Sequence, residues 1–250
     1  MVAPSNGMRT RVIEVALSIL TALLWTTPIL AQGVGAIKGR VVLSGKSPGN
    51  MVIRIGVDPM CSKANTGKQV VQERVAADAQ GGLANVFVKL QGAFPQTPVP
   101  SQPVVIDQRG CLYAPRVVGV RVGQTVLIKN SDPFLHNVHS SSKANSSFNV
   151  GQPSAGAVFE FKPRSEETML KLGCELHRWM TAYMGIVSHP YFAVSGPAGV
   201  FEITKVPVGT HTIQAWHELY GLLSTTVTVK PGMTSTVDFT YKSVERKDAK

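Results

Sequence analysis

The stretch VVGVRVGQTVLIKNSDPFLHNVH, residues 117–139, decides the predicted fold class. Apolar and β-branched residues dominate positions 117–122 and 126–129, and a Gly-Gln turn separates the two runs. Short runs bounded by turn residues predict β-strands. Similar runs recur along the chain at 36–43, 51–57, 83–90, 104–107, 157–161, 168–172, 200–203, 212–216, 224–229 and 234–241. The chain is therefore predicted to be all-β and to fold as sandwiches.

The composition indicates a globular protein and excludes several other classes. Of 250 residues, 44% are hydrophobic and 16% are charged, a balance that indicates a globular chain. Sustained apolar runs occur only near the N-terminus, which excludes a polytopic membrane protein. The formal net charge is +10, but no dense run of Lys and Arg is interleaved with aromatic residues, so nucleic acid is not an expected partner. An acidic partner protein fits this charge, and so does a role of scattered lysines in solubility.

Residues 1–31 are predicted to be a bacterial signal peptide. Arg9 and Arg11 precede an apolar stretch at 15–25 that is short for a membrane span, and Ala31 is the expected cleavage site. An uncleaved N-terminal anchor is the alternative. Cleavage would leave 23 basic and 14 acidic residues, a net charge of +9. The mature protein is expected in the periplasm, in the cell envelope or outside the cell, and it is not expected to be integral to the membrane. Residues 243–250 are expected to form a charged, frayed tail.

The segment CELHRWM, residues 174–180, contains three side chains that can bind a metal ion. It holds a thiol at Cys174, an imidazole at His177 and a thioether at Met180. Zinc sites rarely use methionine, whereas a copper ion in an electron-transfer site takes two His, one Cys and a weak axial Met. The second imidazole must come from elsewhere, and His136 and His139 lie just after a predicted strand.

Residues 102–187 resemble a cupredoxin, the blue copper fold. The resemblance rests on VRVGQTVLIKN followed by HNVH, and on the spacing C-x2-H-x2-M, which is similar to the ligand loop of amicyanin-type members. It implies one type 1 copper ion held by His136, Cys174, His177 and Met180.

The same resemblance implies roles around the ligands. Asn137 is expected to hydrogen-bond to the cysteine loop and stiffen it. The ring edge of His177 is expected to reach the surface, where electrons would leave. His139 and Met184 remain the second choices for the imidazole and axial ligands.

Catalysis is not expected. The chain has no H-x-H pair of the kind that multicopper oxidases and nitrite reductases use, and only one Cys lies in the ligand loop. A P-loop and an H-E-x-x-H motif are also missing from the sequence. The other histidines are expected to be structural: His189, His211 and His217.

Cys61 and Cys111 are the remaining cysteines. Export places them in an oxidising compartment, where two cysteines usually pair. Both lie in predicted turns, and a disulfide between them would tie the N-terminal segment to the copper domain. A second metal site that includes Met60 and Cys61 is the alternative.

The flanks resemble a carboxypeptidase-regulatory-like domain, a transthyretin-like β-sandwich. The resemblance rests on GAIKGRVV at 35–42 and AGVFEITKVPVGTHTI at 198–213, where Ala198 replaces the usual acid and His211 the usual Tyr. It implies a discontinuous sandwich of residues 34–93 and 188–242 with the cupredoxin domain inserted. Consecutive domains are the alternative.

Two functions are compatible with these patterns. One is an exported one-electron carrier with an unknown redox partner protein. The other is an interaction or spacer protein of the cell envelope, in which the copper site is structural or vestigial.

Overall fold

The computed structural model describes residues 1–3 and 33–243. Most of the predicted signal peptide, and the predicted tail beyond residue 243, lie outside the described residues. Strands dominate the described part and the helices are short, so the predicted all-β class is confirmed. Within the described ranges, no helix has the length and apolar character needed to cross a membrane.

The strands follow one another closely along the chain. Their bounds are β1 (Val34–Ser44), β2 (Met51–Val52), β3 (Val71–Gln72), β4 (Phe87–Gln91), β5 (Val104–Arg109), β6 (Leu112–Ala114), β7 (Val117–Arg121), β8 (Val126–Asn130), β9 (His136–Ser140), β10 (Phe148–Gln152), β11 (Val158–Phe161), β12 (Glu167–Gly173), β13 (Thr181–Val187), β14 (Phe192–Val194), β15 (Val200–Pro207), β16 (Gly209–His217), β17 (Gly221–Val229), β18 (Thr234–Thr236) and β19 (Phe239–Lys242). The α-helix α1 spans Pro59–Ala64, and short 3-10 turns lie at Ile55–Val57 and Pro197–Gly199.

One sandwich, called sandwich A, combines β1 and β4 with the strands from β14 to β19. β1 pairs with β15, β18 and β19, and the order of the second sheet is β14-β4-β16-β17. Side chains of both sheets meet in one buried cluster that includes Ile37, Val41, Leu90, Ile203 and Ile213. Residues 34–44 are thus joined directly to strands that lie more than 150 positions later in the chain.

The strands from β5 to β13 form sandwich B. One sheet has the order β10-β9-β12-β13-β7 and the other has the order β11-β8-β5-β6. Their apolar faces enclose a buried cluster that includes Ile106, Val120, Ile128, Leu172 and Ile186. The start of β9 and the loop between β12 and β13 carry the candidate metal ligands.

Aromatic rings from sandwich A pack onto glycines of sandwich B. A Cβ at Gly119 would lie 2.3 Å from the Phe192 ring, and a Cβ at Gly185 would lie 2.5 Å from the Phe87 ring. Only glycine leaves room for these rings, so the two sandwiches are in direct contact at β7 and β13.

A helical segment replaces the strand predicted at 51–57. Only Met51–Val52 is extended, and α1 begins after Asp58. The Asp58 side chain accepts hydrogen bonds from the N–H groups of Met60 and Cys61, which makes it the N-cap, and Pro59 occupies the first turn. This cap places the fully buried Cys61 at sandwich B.

His217 is a buried histidine at the end of β16. Its ring stacks on Tyr220 at 4.8 Å and its Nδ1 accepts the Leu219 N–H at 3.1 Å. Burial lowers the pKa of His217 to about 4; Glu218 opposes this shift, and Arg116 and Arg74 reinforce it.

This burial predicts acid sensitivity. The unfolded chain takes up the His217 proton near pH 6.5, whereas the folded chain resists it down to about pH 4, so the stabilisation present above pH 6.5 is lost as the pH falls. We expect wild type to lose about 3 kcal/mol relative to His217→Gln between pH 7 and pH 4. Denaturant unfolding at several pH values measures the difference, and parallel pH profiles for the two proteins would contradict it.

Candidate metal centre

The candidate ligands come from two places at one end of sandwich B. His136 is the first residue of β9, and Cys174, His177 and Met180 lie in the loop between β12 and β13. All four are buried, with exposed fractions of 0%, 2%, 3% and 1%. The Met180 N–H donates to the His177 carbonyl at 2.8 Å, which keeps the loop tight.

Three donor atoms converge in this end of the sandwich. Nδ1 of His136 lies 3.0 Å from Nδ1 of His177, and the Cys174 Sγ lies 3.7 Å from that same His177 nitrogen. The three atoms lie within 4.8 Å of one another. A metal ion binds imidazole nitrogen at about 2.0–2.1 Å and thiolate sulfur at about 2.3 Å. The two separations that involve Nδ1 of His177 are smaller than the sums of two such bonds, as two ligands of one ion require.

A carboxylate holds the outer nitrogen of each ring. Nε2 of His136 lies 2.9 Å from Oδ2 of Asp132, and Nε2 of His177 lies 3.1 Å from Oδ2 of Asp58. These partners assign the N–H to Nε2 in both rings, so both Nδ1 lone pairs point inward. Two lone pairs that face each other at 3.0 Å need a cation between them, either a proton or a metal ion.

The charges around these atoms favour a thiolate. Burial alone would raise the pKa of the Cys174 thiol, but hydrogen bonds with His136 and His177 outweigh it and lower the pKa to about 5. Burial would lower the pKa of His136, but Asp132 and Cys174 raise it to about 9. The pKa of His177 is raised as well, because its bonds to Cys174 and Asp58 outweigh its burial. The site thus pairs an anionic sulfur with rings that attract a cation.

Asn137 connects the two halves of the site. Its Oδ1 accepts the Glu175 N–H at 2.7 Å and lies 3.2 Å from the Cys174 Sγ, which donates to it when the thiol is protonated. Its Nδ2 donates to Oδ1 of Asn149 on β10 at 2.7 Å. The amide therefore holds the start of the cysteine loop against β9.

The predicted disulfide between Cys61 and Cys111 is confirmed. Its sulfur atoms are bonded to each other, which argues against the alternative in which Cys61 serves a second metal site. Cys174 is the free cysteine of the chain, and it is buried. The Cys61 Sγ lies 3.4 Å from Nε2 of His177, so the disulfide touches a candidate ligand.

The expectation that the His177 ring edge reaches the surface is wrong. The side chain is buried beneath Asp58 and Cys61 at the start of α1, and the Trp179 ring lies 5.2 Å from it between centroids. The disulfide fastens α1 to sandwich B, and α1 therefore covers the imidazole that the resemblance placed in solvent.

The two second-choice ligands, His139 and Met184, differ in where they lie relative to the converging donors. His139 is partly exposed, and its Nδ1 lies 3.2 Å from Oε1 of Glu175. It does not belong to the group of three converging donors. Met184 is fully buried on β13 and shares an apolar cluster with Met180 and Cys174.

Asp58 and Asp132 are the site residues that sequence reasoning did not single out. Asp132 stands four residues before His136 in a turn, and an acid at that spacing before a ligand histidine was the available signal. Asp58 is 119 positions from His177, and nothing in the local sequence connects the two residues.

Comparison with family models and with curated proteins gives no match. Comparison with solved structures gives partial similarities. The copper-containing nitrite reductase NirK from Thermus scotoductus SA-01 has a TM-score of 0.32 and 18% identity, covering 38% of this chain and 24% of that chain. This chain therefore spans about a quarter of the nitrite reductase chain.

Two smaller proteins are matched over most of their length. A purple cupredoxin from Nitrosopumilus maritimus has a TM-score of 0.30 and 23% identity, covering 33% of this chain and 98% of that chain. A reduced variant of amicyanin has a TM-score of 0.31 and 18% identity, covering 40% and 97%. Because these TM-scores lie below 0.5 and these identities below 25%, the function of this chain has to be argued from its own site.

Proposed function

We propose that this chain is an exported protein that binds one copper ion as a type 1 centre and carries single electrons in the bacterial cell envelope. The ligands are His136, Cys174 and His177, with Met180 as the weak axial ligand. The N-terminal signal peptide directs export of the chain. The redox partner is a protein, and the positive charge of this chain favours a partner with an acidic surface.

One observation carries this proposal. Two buried imidazole Nδ1 atoms and one buried sulfur converge, and a carboxylate fixes the outer nitrogen of each ring. The donor set of two His and one Cys, with a thioether close by in the chain, is the one that electron-transfer copper uses. Copper bound there would supply a one-electron couple between Cu(I) and Cu(II).

The surroundings suit transfer of an electron better than catalysis. The ligand side chains are buried, and α1, Trp179 and the disulfide cover the His177 side of the site. A substrate has no open position at these donors among the described residues. The fixed rings limit the change in geometry between the two metal states, which favours a carrier, so we propose no enzymatic activity.

Sandwich A is proposed to be the carboxypeptidase-regulatory-like module that the flanking sequences resemble. In this proposal residues 34–93 and 188–242 form one discontinuous domain, from which the segment that carries α1 reaches to sandwich B, and residues 102–187 form the inserted cupredoxin domain. The module would contribute a docking surface or a spacer in the envelope and no chemistry of its own.

The burial of His177 favours a second candidate function. A carrier whose ligand ring is covered lacks the exposed imidazole edge expected for electron exit, so the metal could instead stabilise an interaction or spacer protein. Potentiometric titration of the copper-loaded protein separates the two. A reversible one-electron couple supports the carrier, and copper binding without such a couple supports the structural role.

Met180→Leu tests the axial ligand. The variant is expected to keep its colour, because the thiolate and both imidazoles remain, and to show a higher reduction potential, because an electron-donating axial ligand is lost. A tenfold change in the relative affinity for the two copper states corresponds to about 59 mV. Met184→Leu is the matched control. A shift in Met184→Leu with none in Met180→Leu would assign the axial position to Met184.

A further inference from the structure

We propose that Asp58 and Asp132 are positioning residues for the two metal-binding imidazoles, and that the Cys61–Cys111 disulfide holds both carboxylates in place. The inference rests on the proposed function for its metal, but the contacts that carry it belong to the protein alone. It gives the disulfide a role at the metal centre in addition to its role in stability.

Asp132 is fastened on one side by the chain around Cys111. Its Oδ1 accepts the Gly110 N–H at 2.7 Å, and its Oδ2 accepts the Cys111 N–H at 2.9 Å. The same Oδ2 lies 2.9 Å from Nε2 of His136. The carboxylate is buried and has no freedom to turn away from the ring.

Asp58 repeats this arrangement on the other ring. Its Oδ1 accepts the N–H groups of Met60 and Cys61 at 2.8 and 2.9 Å, and its Oδ2 is left for Nε2 of His177 at 3.1 Å. The helix cap therefore uses one oxygen of the carboxylate, and the imidazole uses the other.

The disulfide joins the two anchors. Each aspartate takes a backbone N–H from one of the two bonded cysteines, Asp58 from Cys61 and Asp132 from Cys111. The Cys111 carbonyl also accepts the Trp179 indole N–H at 3.0 Å, which ties the cysteine loop to the same point. The covalent bond thus sets the distance between the two carboxylates that orient the two rings.

Two consequences follow for the metal. Hydrogen bonds to the outer nitrogen of a ligand histidine typically change metal affinity by about 10–100-fold. The carboxylates also place negative charge beside the imidazoles, which favours the more positive metal state. Loss of either carboxylate should therefore weaken Cu(II) binding more than Cu(I) binding and raise the reduction potential.

Asp58→Asn isolates the positioning role from the capping role. The amide oxygen that this substitution introduces can still accept the N–H groups of α1, but the amide N–H2 would then face the His177 N–H, and two donors cannot bond. Asp132→Asn changes the partner of His136 and also removes one backbone hydrogen bond, because Oδ1 accepts the Gly110 N–H and Oδ2 accepts the Cys111 N–H. Asp78→Asn is the matched control, because Asp78 also accepts two backbone N–H groups, from Gln80 and Gly82, and its ion-pair partner is Arg40 instead of a histidine.

The experiment has a metal-free arm and a copper arm. In the metal-free protein, solvent exchange of the two Nε2–H protons is measured by NMR. We expect exchange to be slow in wild type and Asp78→Asn, and faster by about tenfold or more for His177 in Asp58→Asn and for His136 in Asp132→Asn. In the copper arm we expect a Cu(II) affinity about 10–100-fold lower and a higher potential in both site variants.

The two arms separate the failure of this inference from the failure of the proposed function. Ring-specific acceleration of exchange in a protein that binds no copper would overturn the proposed function and support the positioning role. Unchanged exchange and an unchanged potential in copper-binding Asp58→Asn and Asp132→Asn would overturn the positioning role. The Cys61→Ser/Cys111→Ser variant should accelerate exchange at both rings, and exchange rates equal to those of wild type would contradict the role given to the disulfide.

Discussion

Cys174→Ser is expected to abolish the intense visible thiolate-to-copper charge-transfer band. A bound metal deprotonates a coordinating thiol outright, and the surroundings of Cys174 already lower the thiol pKa to about 5. A serine hydroxyl does not ionise at neutral pH and offers copper a hard oxygen where a soft sulfur is needed. Visible absorption of the copper-reconstituted protein measures the loss.

His139→Gln is the control for this substitution. His139 stands outside the group of converging donors, so the variant should keep the band at the intensity of wild type. A Cys174→Ser variant that stays coloured would show that another sulfur binds the metal.

Removal of the disulfide is the second change with a large expected effect. Cys61 and Cys111 are 50 positions apart, and cross-linking a loop of that length lowers the entropy of the unfolded chain by an amount worth about 4 kcal/mol. We expect the free energy of unfolding of Cys61→Ser/Cys111→Ser to fall by about that amount, as measured by denaturant unfolding.

Chemical reduction supplies the control for the disulfide. A dithiol reductant should destabilise wild type toward the level of the double variant, and it should leave the double variant unchanged. Equal unfolding midpoints for wild type and the double variant would contradict the expectation.

The ligand loop could be predicted because its chemistry is local. Cys174, His177 and Met180 lie within seven residues, and few other roles bring a thiol, an imidazole and a thioether so close in sequence. His136 could be predicted from the strand that precedes it and from the resemblance of HNVH to the first ligand motif of cupredoxins.

The cover over the site could not be predicted, because it depends on contacts that are distant in sequence. The run MVIRIGV at 51–57 has the pattern of a strand, yet the Asp58 cap and Pro59 begin a helix directly after it. The disulfide and a hydrogen bond from Asn65 to the Gly110 carbonyl hold that helix to sandwich B, where Asp58 reaches His177. No local sequence pattern predicts the contact between Asp58 and His177.

Local composition also under-predicts the strands around the candidate ligands. The polar composition of residues 140–157 favours a loop, but Phe148–Gln152 forms β10. Its backbone pairs with β9 from His136 to Ser140. The hydrogen bonds between the two strands satisfy the backbone N–H and C=O groups of residues whose own propensity favours a turn. Tertiary pairing outweighs local composition at this edge of the sheet.

X-ray absorption at the copper edge of the copper-loaded protein reports the ligand atoms themselves. We expect one sulfur from Cys174 and two imidazole nitrogens, from His136 and His177, in the closest shell of ligands around one copper ion per chain. A spectrum with no sulfur in that shell, or with two or more sulfurs at thiolate distance, would contradict the assignment.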